Sequence, residues 1–436
     1  MPTTCARFLC LISLISAVTG CNVLSNGITP PQVSQVPQES KEAFKGHLPD
    51  ANVGRGINLR SRAGDSFATL YSFQGGVDGD APVGDLLNVN GTLYGTSSAE
   101  SEACGHTCGT VFAITTSGHK STLHTFTGND GAIPYGSLIQ VNGTLYGTTY
   151  QGGTNGCGSG TIGCGTIYKI SPSGQFSVLY DFKGGSDGAY PFGGLVYLNG
   201  TFYGTTSEGG TVNRGTVFSL SSSGQEAVLH SFGLGLDGYD PQCTLIPVNG
   251  VLYGTTALGG GRGMKTGGTI FSITTSGAER VIDSFEVNTK KRGYTPLASL
   301  TYAEGNIYGT TSAGGETNHG TVFSIAFTGK KPKKAVTIYN FAGPPDDGQY
   351  PSATLSYANG TIYGTTNSGG EGMLYGTIFS LTPSGTETVL YNFSQNSSNP
   401  QSPSGGVTWL NSVLYGVTQY GGSYDLGTVY ALSLRS

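Results

Sequence analysis

The stretch VNGTLYGTTYQGG, residues 141–153, combines an Asn-Gly turn, a strand centred on Tyr146 and a Gly-Gly stop. Nearly the same words recur along the chain at intervals of 50 to 57 residues. The glycine of the YGTT-like word marks seven copies: Gly95, Gly147, Gly204, Gly254, Gly309, Gly364 and Gly416. Self-similarity at a period of about fifty residues predicts an array of tandem structural repeats.

Each repeat reads as four short antiparallel strands. In the second copy these are GSLIQV, TLYGTT, GTIYKI and FSVLYDF, joined by an Asn-Gly turn, a glycine-rich loop and a Ser-Gly turn. Asn-Gly between two β runs favours a type I′ hairpin, because both central residues of that turn need positive φ. Four-stranded units repeated in this way are typical of a β-propeller, whose blades bury both faces against their neighbours.

The two ends of the array complement each other. The segment SFATLYSF at residues 66–73 matches the fourth strand of a unit, whereas the last unit stops after its third strand, GTVYALSL, at residues 427–434. If the first segment completes the last blade, seven full blades result and no sheet edge is left exposed by an open array. We therefore predict an all-β, seven-bladed propeller over residues 66–436, closed by its N-terminal strand.

The composition agrees with one large β domain. The 436 residues include 73 glycines and 25 tyrosines, and only 11% are charged, which suits turns and strands better than long helices. Lys and Arg total 21, are spread thinly and leave a net charge of -5, so no basic stripe is available to follow phosphates. We predict no nucleic-acid partner, no cofactor and no metal, and we expect a monomer.

The repeat word also carries a family resemblance. The pattern NGTLYGTTxxGG followed by GTVFxI resembles the GloVer (Gloeo/Verruco) repeat family of exported bacterial proteins, over residues 66 to 434. The resemblance implies export and anchoring at the cell surface. It implies no established activity and transfers no catalytic residue.

The N-terminus predicts a lipid-anchored protein. The apolar run FLCLISLISAV after Arg7 is too short for a helix that spans a bilayer and is typical of a signal peptide. The residues VTGC at 18–21, which begin with the last residue of this run, resemble the bacterial lipobox, which implies a signal over residues 1–20 and lipidation of Cys21. The alternative is an ordinary secretory signal with an unmodified cysteine.

The segment after the lipobox predicts how the protein is displayed. Residues 21–65 are polar and rich in Pro, Gln, Ser and Gly, so we expect a flexible tether. Asn22 after the cysteine resembles a bacterial sorting signal for the outer membrane. We therefore expect the lipid anchor to be the only membrane contact, at the outer membrane or the cell surface.

A charged ring is predicted on the face that carries the long loops. A DGxxP pattern recurs between blades, and its first position predicts a ligand-binding rim formed by Asp78, Asp130, Asp187, Asp237, Arg292, Asp347 and Asn399. Five carboxylates and one arginine could bind cations, sugar hydroxyls or a basic partner. The alternative is that Asp-Gly only makes a turn, with the carboxylate accepting local backbone N–H groups.

Two cysteine pairs occupy equivalent loops of adjacent blades. Cys104 and Cys108 lie between the second and third strands of the first unit, and Cys157 and Cys164 lie in the same place in the second. In an exported protein we expect each pair to form a disulfide within its loop. Zinc is the alternative, but too few ligands are close in sequence for a four-ligand site.

Two functional classes remain open. The first is a surface binding or scaffold protein that recognises a glycan, a peptide or a protein partner on its loop-rich face. The second is an extracellular hydrolase or lyase that acts on a polysaccharide. We identify no catalytic residue, and binding is the interpretation we favour, because no blade departs from the repeat with an evident acid/base pair.

Overall fold

The computed structural model describes residues 65–99, 108–157, 163–233, 236–261, 266–287, 292–371, 373–394 and 399–435. The predicted signal, Cys21 and the tether as far as residue 64 lie outside these ranges. The described part of the chain is all-β and forms the predicted seven-bladed propeller, with antiparallel blades whose strands follow one another in sequence. Among the described residues no helix is long and apolar enough to cross a membrane.

Every blade has four principal strands, which we name from the axis outward as inner, second, third and outer. The inner strands are Asp80–Val89, Ile139–Val141, Val196–Leu198, Ile246–Val248, Thr301–Ala303, Ser356–Ala358 and Thr408–Leu410. The second strands are Thr92–Ala99, Thr144–Thr149, Thr201–Thr206, Val251–Thr256, Asn306–Thr311, Thr361–Thr366 and Val413–Tyr420. The blades are numbered one to seven in this order.

The remaining strands complete the blades. The third strands are Thr110–Thr115, Thr166–Ile170, Thr216–Ser221, Thr269–Thr274, Thr321–Thr328, Thr377–Leu381 and Thr428–Ser433. The outer strands are Lys120–Thr125, Phe176–Asp181, Glu226–Ser231, Glu279–Ser284, Val336–Asn340, Glu387–Asn392 and, for blade 7, Ser66–Ser72. Short accessory strands are Gly293–Tyr294, Ala313–Gly314, Lys331–Pro332, Gly348–Gln349, Ser368–Gly369 and Gln401–Pro403, and 3-10 turns span Gly76–Asp78 and Gly185–Asp187.

The N-terminal strand closes the ring, as the sequence predicts. Ser66–Ser72 pairs antiparallel with the third strand of blade 7, with Ser66 opposite Ser433 and Phe67 opposite Leu432. Phe67 then stacks on Tyr391 of blade 6, with ring centroids 3.9 Å apart. The first strand of the array therefore both completes blade 7 and packs it against the preceding blade.

The YGTT word is explained by what each of its residues contacts. Its glycine faces an aromatic residue of the third strand, and a Cβ at this position would collide with that ring. The seven pairs are Gly95 and Phe112, Gly147 and Tyr168, Gly204 and Phe218, Gly254 and Phe271, Gly309 and Phe323, Gly364 and Phe379, and Gly416 and Tyr430. These seven rings are 0 or 1% exposed. The glycine is thus required by packing and not by a turn.

The two threonines of the word satisfy polar groups inside the sheet. In several copies the first reaches the segment that leads into the inner strand of the next blade: the hydroxyl of Thr148 donates to the carbonyl of Gly193 at 2.9 Å. The second hydrogen-bonds the threonine that opens the third strand, as Thr206 and Thr216 do at 2.7 Å. Because these hydroxyls are buried, each bond removes a polar group that would otherwise be unsatisfied.

Replacing the glycine of one word tests this packing. We expect Gly204→Ala to lower the free energy of unfolding by about 1–3 kcal/mol, because the new methyl group overpacks against the Phe218 ring. Gly156→Ala is the control, since a Cβ at Gly156 meets no atom within 4 Å. Urea unfolding of the two variants with equal midpoints would show that the glycine is not a packing requirement.

Candidate functional site

The loops that join one blade to the next share an unusual backbone conformation. In all seven, the residue before the proline that ends the DGxxP region has positive φ, between 43° and 59°. These residues are Ala81, Ile133, Tyr190, Asp240, Thr295, Tyr350 and Ser402. Positive φ is uncommon for residues other than glycine. Since each inner strand starts just after its proline and runs toward the Asn-Gly turns, these residues lie on the loop-rich face, where the central channel opens.

In blades 2 and 3 this channel mouth carries an aromatic cluster. The rings of Tyr135 and Phe192 have centroids 4.8 Å apart, and Tyr150 lies 5.6 Å from Tyr135 and 5.9 Å from Phe192. Tyr150 is also 5.1 Å from Tyr190. All four side chains are partly exposed, so the cluster offers aromatic surface to a ligand at the mouth.

Carboxylates of blades 3 and 4 adjoin these rings. Asp240 accepts a hydrogen bond from the side-chain amide of Gln242 at 3.0 Å, and burial raises the pKa of Asp240 to about 6. Burial, together with the charges of Glu208 and Asp240, raises the pKa of Tyr150. We name this set the mouth cluster: Tyr135, Tyr150, Tyr190, Phe192, Glu208, Asp240 and Gln242.

A collar of small polar residues surrounds the channel below the mouth. It is formed by the third residue after each proline: Asp85, Ser137, Gly194, Thr244, Ser299, Thr354 and Gly406. Backbone N–H groups donate to the next side chain around the ring, from Gly194 to Thr244 at 2.8 Å and from Thr244 to Ser299 at 2.9 Å. Gly406 donates to the Asp85 carboxylate at 2.7 Å, and Asp85 in turn donates its N–H to Ser137 at 2.9 Å.

Asp85 is the one carboxylate of this collar, and desolvation raises its pKa. The sequence interpretation did not single out either Asp85 or the mouth cluster. A position-by-position comparison of the seven inner-strand segments could have found Asp85, because the other six copies have a hydroxyl residue or glycine there. The mouth cluster draws on residues beside the prolines and after the second strands of three blades, and its rings meet only in the folded ring.

The predicted rim residues lie in the interblade loops, and most of their hydrogen bonds fasten those loops. Each carboxylate accepts a backbone N–H at the start of its own loop: Asp78 from Gln74 at 2.9 Å, Asp130 from Thr127 at 2.8 Å, Asp187 from Lys183 at 2.7 Å, Asp237 from Gly233 at 3.2 Å, and Asp347 from Ala342 at 2.7 Å. This is the bonding expected of the turn interpretation.

A second contact joins each carboxylate to the outer strand that immediately precedes its loop. The partner is a tyrosine or histidine: Tyr71 on Asp78 at 2.8 Å, His124 on Asp130 at 2.9 Å, Tyr180 on Asp187 at 2.6 Å, His230 on Asp237 at 3.0 Å, and Tyr339 on Asp347 at 2.8 Å. In blade 4 the charges are exchanged, because Arg292 pairs with Asp283 of the outer strand at 2.5 Å. Asn399 bonds the Ser394 hydroxyl at 2.9 Å.

The same contacts reach across to the next blade. The Lys120 ammonium binds Asp78 at 2.6 Å with its side chain 1% exposed, and Phe176 stacks on His124 with centroids 3.6 Å apart. Tyr180 and Tyr339 hydrogen-bond Glu226 and Glu387 of the following blades at 3.5 and 3.4 Å. The rim residues thus fasten their loops to the outer strands, and those at Asp78, Asp130, Asp187 and Asp347 also connect to the next blade. Ligand binding by this rim stays a prediction.

Three glutamates of this interblade contact are held near another carboxylate. Burial, together with Asp187 for Glu226 and Asp347 for Glu387, raises the pKa of both glutamates to about 8. Burial and Asp237 raise the pKa of Glu279 to about 7. At neutral pH Glu226 and Glu387 are therefore mostly protonated and Glu279 about half protonated, because two partly buried carboxylates at short range cannot both ionise without a large cost.

Three of the four described cysteines, Cys108, Cys157 and Cys164, are in disulfides, and the fourth, Cys243, is a buried free thiol. Cys157 and Cys164 form the predicted disulfide within the loop of blade 2, with Cα atoms 5.0 Å apart. Cys108 is buried and disulfide-bonded, and its predicted partner Cys104 lies outside the described residues. Among the described residues no three His, Cys, Asp or Glu side chains come together as metal ligands.

The fold and the channel mouth define a class: a tandem-repeat, seven-bladed β-propeller whose loop-rich face opens onto an aromatic and acidic surface. The chain belongs to the Gloeobacter/Verrucomicrobia repeat family, whose model matches residues 56–266 and 261–436. The resemblance drawn from the repeat word is therefore confirmed. No curated protein matches the chain.

Several solved structures align with the propeller at low similarity. A gluconolactonase from Xanthomonas campestris has a TM-score of 0.38 and 11% identity, covering 62% of this chain and 79% of its own. An alpha-L-arabinofuranosidase from Clostridium thermocellum has a TM-score of 0.35 and 15% identity, and the alignment covers 59% of this chain and 93% of that enzyme. Polysaccharide lyase Uly1 has a TM-score of 0.45 and 11% identity, and the alignment covers 81% of this chain and 89% of the lyase. Similarity at this level transfers no activity to this chain.

The raised glutamate pKa values predict a pH-dependent stability. Glu387 is protonated in the folded chain up to about pH 8 but ionises near pH 4.5 when unfolded, so folding takes up a proton between these values and stability falls as pH rises through them. Glu387→Gln mimics the protonated acid. We expect it to leave stability unchanged at pH 4 and to raise it by on the order of 1–2 kcal/mol at pH 8.5.

The measurement is thermal unfolding of wild type and variant across this pH range. Glu316→Gln serves as the control, because the Glu316 side chain is exposed in a loop of blade 5. The pKa assignment is wrong if Glu387→Gln is equally stabilising, or equally neutral, at both ends of the range.

Proposed function

We propose that the protein is a surface-displayed binding protein that holds a carbohydrate at the channel mouth. The observation that carries the proposal is the set of four partly exposed aromatic rings beside Asp240 and Gln242. Sugar rings present apolar C–H faces that suit aromatic surfaces and hydroxyl edges that need acceptors and donors. Ligand sites in general combine such apolar walls with a few convergent polar groups.

The charge at the mouth supports a sugar over other ligands. Asp240 and Glu208 provide carboxylate acceptors, which suit hydroxyl donors, while the Gln242 amide can both donate and accept. An anionic ligand would be repelled by the two acids. A peptide or protein partner on the same face remains an outcome that the binding test can return.

A second candidate function is a hydrolase or lyase acting on a polysaccharide. One observation favours it: burial raises the pKa of Asp240 to about 6, which is closer to the pH at which a general acid works than an ordinary aspartate would be. A binding protein and an enzyme differ in product formation, so one experiment can separate them.

Binding at the mouth is tested with the full-length protein on an array of plant and microbial glycans. We expect Tyr150→Ala and Phe192→Ala to weaken binding at least about tenfold, a loss of about 1.4 kcal/mol. Tyr302→Ala is the control, because Tyr302 is 44% exposed and belongs to the turn-side end of blade 5. An array with no bound glycan, or binding unchanged in both mouth variants, would refute the proposal.

The role of Asp240 is resolved with the glycan that binds. If the carboxylate accepts sugar hydroxyls, affinity falls as the pH drops below about 6, and Asp240→Asn removes this pH dependence. Incubation of the polysaccharide with wild type is then checked for new reducing ends or unsaturated products. Products that disappear in Asp240→Asn while binding persists would establish the enzyme in place of the binding protein.

We also propose that a lipid on Cys21 anchors the protein at the outer membrane or cell surface. The support is the VTGC motif after a short apolar segment, in residues outside the described ranges. The described chain enters the propeller at Asp65, whose carboxylate accepts the N–H of Arg435 at 3.0 Å on the turn side.

The anchor is tested by Cys21→Ser. We expect the variant to lose its acyl chains and to leave the membrane fraction, because the thiol is the only attachment point that the motif provides. Fractionation and mass spectrometry measure both outcomes. A variant that is still acylated and still sediments with membranes would overturn the assignment, and Cys243→Ser, at a buried free thiol, controls for the loss of a cysteine as such.

A further inference from the structure

A cleft opens between blades 6 and 7 on the face that carries the tight turns, opposite to the channel mouth. Its volume is about 380 Å³, within the range that holds small-molecule ligands. Its lining joins the faces of two neighbouring blades and includes Asp65, Thr361, Tyr363, Ser380, Thr388 and Trp409. No residue of the mouth cluster takes part, so the cleft is a separate feature of the molecule.

One wall of the cleft is aromatic, and its tryptophan distinguishes it from the equivalent Tyr308–Tyr357 stack of blades 5 and 6. Trp409 is the only tryptophan of the chain, is partly exposed and stacks on Tyr363, with centroids 5.3 Å apart and planes 24° apart. The same inner-strand position holds Asn88, Gln140, Tyr197, Pro247, Tyr302 and Tyr357 in the other blades. The repeat therefore does not require tryptophan at this position.

A comparison with blades 4 and 5 shows how such a space can be filled. There Phe327 lies between the two blades, with its centroid 5.9 Å from Tyr253 and 6.3 Å from Tyr302. The position of Phe327 in blade 7 is occupied by the smaller Leu434, which lines the cleft. The space beside Trp409 is thus left open where the other pair closes it with a side chain.

The polar groups of the cleft suit hydroxyl ligands. Thr361, Ser380 and Thr388 present hydroxyls from three adjacent strands of blade 6. At the rim, one oxygen of Asp65 accepts the Arg435 N–H, whereas the other, Oδ2, is buried without a hydrogen-bond partner among the described residues. A buried acceptor without a donor is costly, and a ligand hydroxyl would satisfy it.

We propose that this cleft is a second carbohydrate site, which takes a short neutral oligosaccharide. The aromatic wall receives the C–H face of a sugar ring, the threonine and serine hydroxyls bond its edge, and Asp65 Oδ2 accepts one of its hydroxyls. Asp65 and Arg435, which also lines the cleft, balance each other in charge, so the cleft has no excess positive charge that would favour uronic acids or other anionic sugars. The site is independent of the proposed function, because its residues and its face are different.

The sole tryptophan provides the assay. The full-length protein is titrated with cellohexaose, xylohexaose, laminarihexaose and chitohexaose while Trp409 emission is followed, with hexagalacturonate as the anionic comparison. We expect at least one neutral hexamer to change the emission saturably and hexagalacturonate to leave it unchanged. Tyr363→Ala and Asp65→Asn should each weaken the response at least about tenfold.

Matched variants separate this site from the channel mouth. Tyr357→Ala removes the ring at the position of Trp409 in the neighbouring blade and should not alter the titration, and Tyr150→Ala in the mouth cluster should not alter it either. Circular dichroism confirms that each variant is folded, and Asp65→Asn, at the molecular surface, remains informative if Tyr363→Ala unfolds. No emission change with any neutral hexamer, or a full response in Asp65→Asn, would overturn the proposal whatever the array shows for the mouth.

Discussion

The structure depends on the contact between its first and last blades. A propeller blade buries both faces only when a neighbour covers each, so the ring needs a join as extensive as any other interface. The closure has two layers. The outer layer lies within blade 7 and is the ladder between Ser66–Ser72 and Thr428–Ser433. The inner layer joins blade 7 to blade 1, where Ser404 donates to the Pro82 carbonyl at 2.6 Å and Thr408 to the Leu86 carbonyl at 2.5 Å. Both layers join residues from opposite ends of the array.

Repetition in this chain serves the scaffold, and departures from it form the candidate sites. The glycine and threonines of the YGTT word, and the aspartate of the DGxxP loop, recur because every blade meets the same packing and bonding problem. Residues that one blade alone possesses at its position, such as Asp85 and Trp409, are not needed for that purpose. The exchanged pair of Asp283 and Arg292 shows that the interblade contact can be kept with different residues, so a departure alone does not prove function.

The sequence predicts the fold in detail because the same four-strand pattern occurs seven times. Strand count, blade order and closure all follow from comparing copies, and each was confirmed. The roles of the rim residues were harder to predict, because Asp78 or Asp130 in a turn has the same pattern whether it binds a ligand or fastens a loop. Only the side-chain contacts decide where the carboxylate oxygens point, and those contacts involve outer strands and adjacent blades that no local motif records.

The mouth cluster and the Trp409 cleft could not be predicted for a geometric reason. Each is assembled across neighbouring blades, from residues of different repeats whose side chains meet only in the folded ring, so no local motif in the sequence marks them. Their placement on opposite faces has a consequence for binding. If both sites take carbohydrate as proposed, they can act together only through a polysaccharide long enough to reach around the propeller, or through two separate chains. With one long polysaccharide, binding at one site would present the rest of the chain to the other site at a high effective concentration. With two separate chains, the protein would link two polymers. The scaffold thereby permits either mode without any change in its blades.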